Sequence, residues 1–168
     1  GLKARGLQTP SLVVSDAHKG LIAGIRTSFV GASWQRCKVH FMRNILAKVS
    51  HKEKELFASR LKQIWLQPDR STALSYCREL IAQYEDVLPD AIAILEEGLE
   101  DSLQFYAFPE IDSRKSSSTN TLERLNKEIR RRTRVIGIFP SVDSYVRLVC
   151  SYLMEYEEDW QTGRCYIK

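Results

Sequence analysis

Apolar positions along the chain change period three times, and each change marks an element. Leu12, Val13 and Val14 form a short β-branched run behind Pro10, closed by Ser15 and Asp16. A short apolar run ended by polar residues reads as a buried strand of an α/β sheet. Leu21, Ile22, Ile25 and Phe29 then recur at helical spacing, and Gly31 closes that helix. Residues 33–41, SWQRCKVHF, alternate imperfectly and predict a second strand. Strand, helix and strand in so short a stretch imply parallel pairing through a right-handed crossover.

From Met42 to Phe108 only helical periods appear. Ile45, Leu46 and Val49 suit one helix; Leu56, Leu61, Ile64 and Trp65 suit another. The run from Ala73 to Tyr84 gives a third, and Asp90 to Phe105 a fourth, with Pro68 and Pro89 as breaks. This stretch predicts a packed all-α block. PEIDSRKSSS, residues 109–118, reads as a loop. A helix starts at Asn120 and ends before Gly137 and Pro140, and Val142 to Glu158 predicts the last helix.

Composition narrows the class. The chain has 168 residues, 43% hydrophobic and 27% charged, which fits one folded domain and not a disordered chain. A net charge of +4 is a mild bias toward polyanions. Cys37, Cys77, Cys150 and Cys165 are scattered without paired spacing, so reduced thiols in a cytoplasmic protein are expected. No apolar run approaches the ~20 residues of a membrane helix. GLKARGLQTP reads as the end of a helix and a turn, so an upstream part is expected.

Candidate chemistry gathers at three places. Asp16 stands just past a strand, where ligands of open α/β sheets collect, but Asp is also a favoured helix N-cap. Glu123 follows Asn120 at the spacing of a capping box, which is its simpler account. Its surroundings ask for more. Asn120, Glu123, Lys127, Arg131 and Arg134 share one helical face, beside an apolar stripe of Leu122, Leu125 and Ile129 that can dock on a core. Arg124, Lys127, Arg130, Arg131, Arg132 and Arg134 stand against two acids from Glu123 to Arg134, denser than dipole complementation needs. Cations beside a metal-binding acid suit a phosphodiester substrate. Cys37 and His40 form a CxxH, which is half a zinc site. No second pair is spaced to complete it, so packing at a strand end is the expected role, with His40 near enough to the active centre to bond a partner. There is no glycine-rich phosphate loop and no nucleophile elbow.

VVSDAHKGL, CKVHFMRNIL and TNTLERLNKEIRRRTRVIGIFP, in that order, with VDSYVRLVCSYLMEYEEDW after them, closely resemble the Mutator-type transposases of bacterial insertion sequences. The resemblance runs over nearly the whole chain. It implies an α/β fold, mostly helical: a truncated RNase H-like core with about two strands remaining and a large all-α insertion. Residues 1–44 would be part of the sheet core, 45–115 the insertion, and 116–168 the glutamate helix and C-terminal helix. It implies a DDE enzyme using Mg2+ or Mn2+, with Asp16 as second acid and Glu123 as last, and with Cys37, His40 and Asn120 near the active site. It implies DNA partners, both the terminal inverted repeats and the target, and a homo-oligomer. The first acid would lie upstream of residue 1, so this chain alone is expected to be inactive. Two rival functions remain: a non-catalytic basic DNA-binding module, and a helical interaction protein that binds no nucleic acid.

Overall fold

The computed structural model describes residues 3–112 and 116–162. Strand β1 (Leu12–Ser15) leads into helix α1 (Lys19–Ser28) and strand β2 (Ser33–Arg36). The strands pair in parallel, with Leu12 opposite Ser33 and Ser15 opposite Arg36. Among the described residues there follow α2 (Lys38–Leu46), α3 (His51–Gln63), α4 (Arg70–Tyr84), α5 (Pro89–Ser102) and, beyond residues 113–115, α6 (Asn120–Ile136). Helix α7 (Val142–Thr162) is last, and short 3-10 turns cover Lys3–Arg5, Ile64–Leu66 and Gln104–Ala107. Among the described residues this is a mostly helical α/β arrangement with a two-stranded parallel sheet.

The second strand is shorter than its alternation suggests. Cys37 N donates to Ser15 O at 2.8 Å as the last rung, and Phe41 N then donates to Cys37 O at 2.9 Å. The chain is helical from Lys38, so Lys38, Val39, His40 and Phe41 leave the expected strand. The longer-range pattern decides this. Phe41, Ile45 and Val49 repeat every four residues and all three are buried in the helical core, which rewards a period near 3.6 over one of 2.

That core is built by α2 to α5. Phe41, Phe57, Leu61, Ile64 and Leu95 are fully buried, and Trp65 packs edge-on to Phe41 with ring centroids 6.1 Å apart. Local signals set the helix limits. The Asp69 carboxylate accepts from Thr72 N at 2.8 Å and caps α4. Pro89 occupies the first turn of α5, where its missing N–H costs nothing. Gly137, at φ +71°, ends α6 in a conformation that favours glycine.

The sheet is tied directly to this block. Gln35, fully buried, donates from Nε2 to Ser102 O at 2.8 Å, and its Oε1 accepts from Phe105 N at 2.9 Å. Gly98 of α5 lets the helix lie against β2 and α2: a Cβ there would sit 2.7 Å from Phe41 Cε2 and would also collide with the Arg36 guanidinium.

Two expectations about burial need correction. The apolar residues of β1 are only half-buried; Ser15 is its one buried residue. Among the described residues β1 pairs on one side only, so no second layer covers it fully. The stripe on α6 does not dock on the helical core either: α6 has no buried residue, and Leu122 is 56% exposed. Its apolar side turns instead toward α7. There Leu122, Leu125, Leu153 and Tyr156 line an apolar cavity of about 420 Å³ that reaches Val14 of β1. The loop expected at 109–118 is described only on its flanks, because residues 113–115 lie outside the described residues, as does Cys165. Cys37, Cys77 and Cys150 are free thiols, the first two buried.

Candidate functional site

Asp16 is held at the tip of β1 by its own backbone. Ser15 Oγ donates to Asp16 O at 3.0 Å, and His18 N donates to the same oxygen at 2.8 Å. Trp34 Nε1 in turn donates to Ser15 Oγ at 2.8 Å, so β2 fixes the hydroxyl that fixes Asp16. Helix α1 begins at Lys19 with exposed His18 as its N-cap, which leaves the Asp16 side chain out of any capping role. Its carboxylate points at His40 instead, with Oδ1 2.6 Å from Nδ1.

His40 rises from the first turn of α2. Its other ring nitrogen, Nε2, lies 3.4 Å from Glu123 Oε1. One imidazole thus stands between two carboxylates that are far apart in the chain. Nδ1 is buried, and despite its short distance to Asp16 it has no aligned hydrogen-bond partner. The contact is one of proximity, not of donor geometry.

Glu123 reaches this place through a splice between β2 and α6. Lys38 N donates to Ser117 O at 3.0 Å. Thr119 N donates to Cys37 Sγ at 3.3 Å, and Thr119 Oγ1 lies 3.4 Å from the same sulfur. Thr119 Oγ1 also donates to Glu123 Oε1 at 3.2 Å. Thr119, not Asn120, is the N-cap of α6, so the expected capping box is not formed: Glu123 meets the cap hydroxyl and no orphan N–H. Asn120 is the first helical residue and lies exposed. Thr119 was missed in the sequence because its two partners lie on either side of it, one of them 82 positions away.

The surroundings are charged but balanced. A cavity of about 300 Å³ opens beside Asp16, Cys37 and His40, with Arg36 and Asn44 on its wall. Burial pushes the Arg36 guanidinium below its ordinary value, while Glu97 and Asp101 act the other way. Arg36 also stacks on the Phe41 ring at 4.2 Å, which points its charge toward the core side. Burial likewise lowers the Lys38 ammonium, opposed by Cys37 and Asp112.

The basic residues of α6 divide into two sets. Arg124, Lys127, Arg130, Arg131 and Arg134 are exposed and line a groove with Glu123, and Tyr152 and Tyr156 of α7 form its far wall. Arg132 faces α7: its guanidinium lies 4.1 Å over the Tyr152 ring and 3.3 Å from Glu155 Oε2. Glu128 pairs with Arg131 at 2.6 Å and Arg132 at 3.2 Å, and hydrogen bonds from both arginines hold its carboxyl down at about 2. Tyr152 and Tyr156 reach the cations from a different helix, so no spacing within α6 announces them.

Comparison with known proteins fits this picture. The family model described as Transposase, Mutator family, matches residues 1–163. The transposase for insertion sequence element IS256 in transposon Tn4001 of Staphylococcus aureus is 43% identical over 169 residues, covering 99% of this chain and 43% of that protein. The transposase for IS1081 of Mycobacterium tuberculosis is 39% identical over 166 residues, covering 99% of this chain and 40% of that protein. The transposase for ISRM5 of Rhizobium meliloti is 39% identical over 166 residues, 99% of this chain and 42% of that protein. This chain therefore spans about two-fifths of the length of these relatives. With identity at that level across almost every residue described above, the chain belongs to the Mutator family of transposases.

Proposed function

We propose that these residues form the second and third carboxylate positions of a DDE site on an RNase H-like core, within a longer protein that cuts and joins the ends of an insertion sequence. The observation that carries this reading is His40 standing between Asp16 and Glu123, 2.6 and 3.4 Å from their oxygens. Helical packing alone gives no reason to bring a strand-tip acid and a helix-start acid to one ring. In this reading residues 1–44 belong to the sheet core, 45–115 to a helical insertion, and 116–168 to the glutamate and C-terminal helices. The protein acts in the cytoplasm, where its DNA is, and as an oligomer that holds two element ends.

The donor set suits hard ions. Asp16 and Glu123 offer carboxylate oxygens, which Mg2+ and Mn2+ prefer, and Asp16 borders an open cavity. Such ions, when bound, would activate the attacking oxygen and stabilise the leaving one in an in-line phosphoryl transfer. The remaining work falls to the chain itself. Arg124, Lys127, Arg130 and Arg134 hold the phosphodiester backbone along the groove that ends at Glu123. Arg131 shares its charge with Glu128, and Arg132 braces α7. The third acid of such a site comes from outside these 168 residues, so the isolated chain is not expected to nick DNA.

The test uses the full-length protein. Glu123→Gln and Asp16→Asn should each lower metal-dependent cleavage of element ends by more than about 100-fold, the scale of losing one group that acts on transition-state charge. DNA binding should survive both changes. Neutralising Lys127 or Arg130 should instead weaken binding and reduce the slope of log affinity against log salt by about 1 per phosphate contact. Cleavage that persists in Glu123→Gln, with binding lost in the basic variants, would leave a DNA-binding module as the better description.

A further inference from the structure

We propose that Asp16, Cys37 and His40 form a zinc site that shares Asp16 with the hard-ion site. CxxH supplies only half of a zinc site, and no second pair in the sequence completes it. In the folded chain the missing donor is Asp16. One ligand atom from each of the three residues lies within 4.8 Å of the others, and the cavity beside them is open to an incoming ion.

Three features favour a borderline-soft ion over magnesium. Nitrogen, sulfur and oxygen together are a donor set for zinc, whereas magnesium takes oxygen alone. With bond lengths of about 2.0–2.3 Å, a tetrahedral ion needs its donors roughly 3.3–3.8 Å apart. Asp16 Oδ1 now stands 2.6 Å from His40 Nδ1, so an ion between them needs the half-exposed Asp16 side chain to swing back from the ring. His40 Nδ1 is buried, faces Asp16 and lacks an aligned hydrogen-bond partner, as a nitrogen awaiting a metal would.

The outer contacts match as well. A zinc-bound histidine usually gives its second ring N–H to a carboxylate, which fixes the ring. Glu123 Oε1, 3.4 Å from His40 Nε2, stands where that carboxylate belongs. The Thr119 N–H at 3.3 Å from Cys37 Sγ would stabilise the thiolate. Three protein donors leave a fourth position for water. Binding releases the Cys37 thiol proton to solvent.

The site has a consequence for the chemistry proposed above, and that consequence rests on that reading. In the zinc form Asp16 is turned to the zinc, and Glu123 orients His40 and does not hold a metal. Zinc and magnesium would therefore compete, and the zinc form would not cut.

Cobalt(II) is the probe, because thiolate ligation gives it an intense charge-transfer band that oxygen and nitrogen ligands do not. The full-length protein should develop this band at one equivalent of cobalt. Cys37→Ser should lose it, while Cys150→Ser should keep it. His40→Gln and Asp16→Asn should weaken zinc binding, read by competition with a chromophoric chelator, by about tenfold or more, and Glu123→Gln by about tenfold. Added magnesium should raise the apparent zinc Kd. A band that survives Cys37→Ser, or zinc binding unchanged in His40→Gln and Asp16→Asn, overturns the site. A zinc Kd indifferent to magnesium overturns the sharing of Asp16. Circular dichroism identifies any variant that fails to fold; if Cys37→Ser does, the His40 and Asp16 titrations decide. None of these readings needs DNA cleavage, so the site and the catalytic reading can fail separately.

Discussion

Gln35 is a polar side chain in an apolar place, and it shows what single residues contribute here. It is fully buried and uses both ends of its amide, giving N–H to Ser102 O and taking N–H from Phe105. Replacing it with Leu keeps the volume but strands the Phe105 N–H away from water. A buried donor left without a partner costs about 1–3 kcal/mol, so Gln35→Leu should lower the free energy of unfolding by that amount in a denaturant titration. Gly98→Ala acts by crowding instead. Alanine normally gains in a helix over glycine, yet its Cβ would press on Phe41 and Arg36. Overpacking of that kind costs about 1–3 kcal/mol, so the thermal midpoint should fall where helix propensity alone would raise it. The sequence carried the chemistry of Asp16, Glu123, Cys37 and His40 but not their neighbours. Gln35 looked like one polar position in a weak alternation, and Thr119 like the residue before a cap. Both matter through partners more than 60 positions away, which no local pattern encodes.

At the scale of elements, helices were the legible part. Their caps and breakers are local: Asp69, Pro89 and Gly137 sit where the chain turns. Strand β2 was harder, since four residues of alternation run straight into a helix whose period only the later Ile45 and Val49 reveal. Helix α6 is the element most at odds with its pattern. It carries the glutamate and the cations, yet it buries no residue and is fastened at its start by Cys37 and through its length by α7. Helices α4 and α5, by contrast, bury Ala73, Cys77, Leu80, Leu95 and Leu99. Local opening follows burial. Native-state hydrogen exchange should therefore find α6 amides opening at lower free energy than those of α5, and zinc or magnesium should raise protection in the first turn of α6 before anywhere else. Equal protection in both helices would mean that α6 is held by more than the contacts seen here.

The described molecule is a helical block with a two-stranded sheet at its margin. Its interior can be followed by one thiol. Burial pushes the Cys77 thiol up to about 12, while Cys150 is exposed. The thiolate is the reactive form, so at pH 8 Cys150 should alkylate at once and Cys77 only when the block opens. Urea at the unfolding midpoint should bring Cys77 labelling up together with the loss of helical signal. No helix among the described residues is long and apolar enough to cross a membrane, in keeping with the sequence.

The splice between Cys37 and Thr119 also sets an order of events. Contacts inside a helix form early, whereas a contact spanning 82 positions waits for the loop between its ends to close. Here that loop is the helical block itself, and β1 has its parallel partner only after α1 has crossed over. Asp16 is therefore made first and meets Glu123 last, when everything between them has been synthesised and packed. A chain released early would carry Asp16 and His40 without Glu123 across the ring. The meeting of Asp16, His40 and Glu123 is therefore a late event of folding, and a chain that stops short of α6 never assembles it.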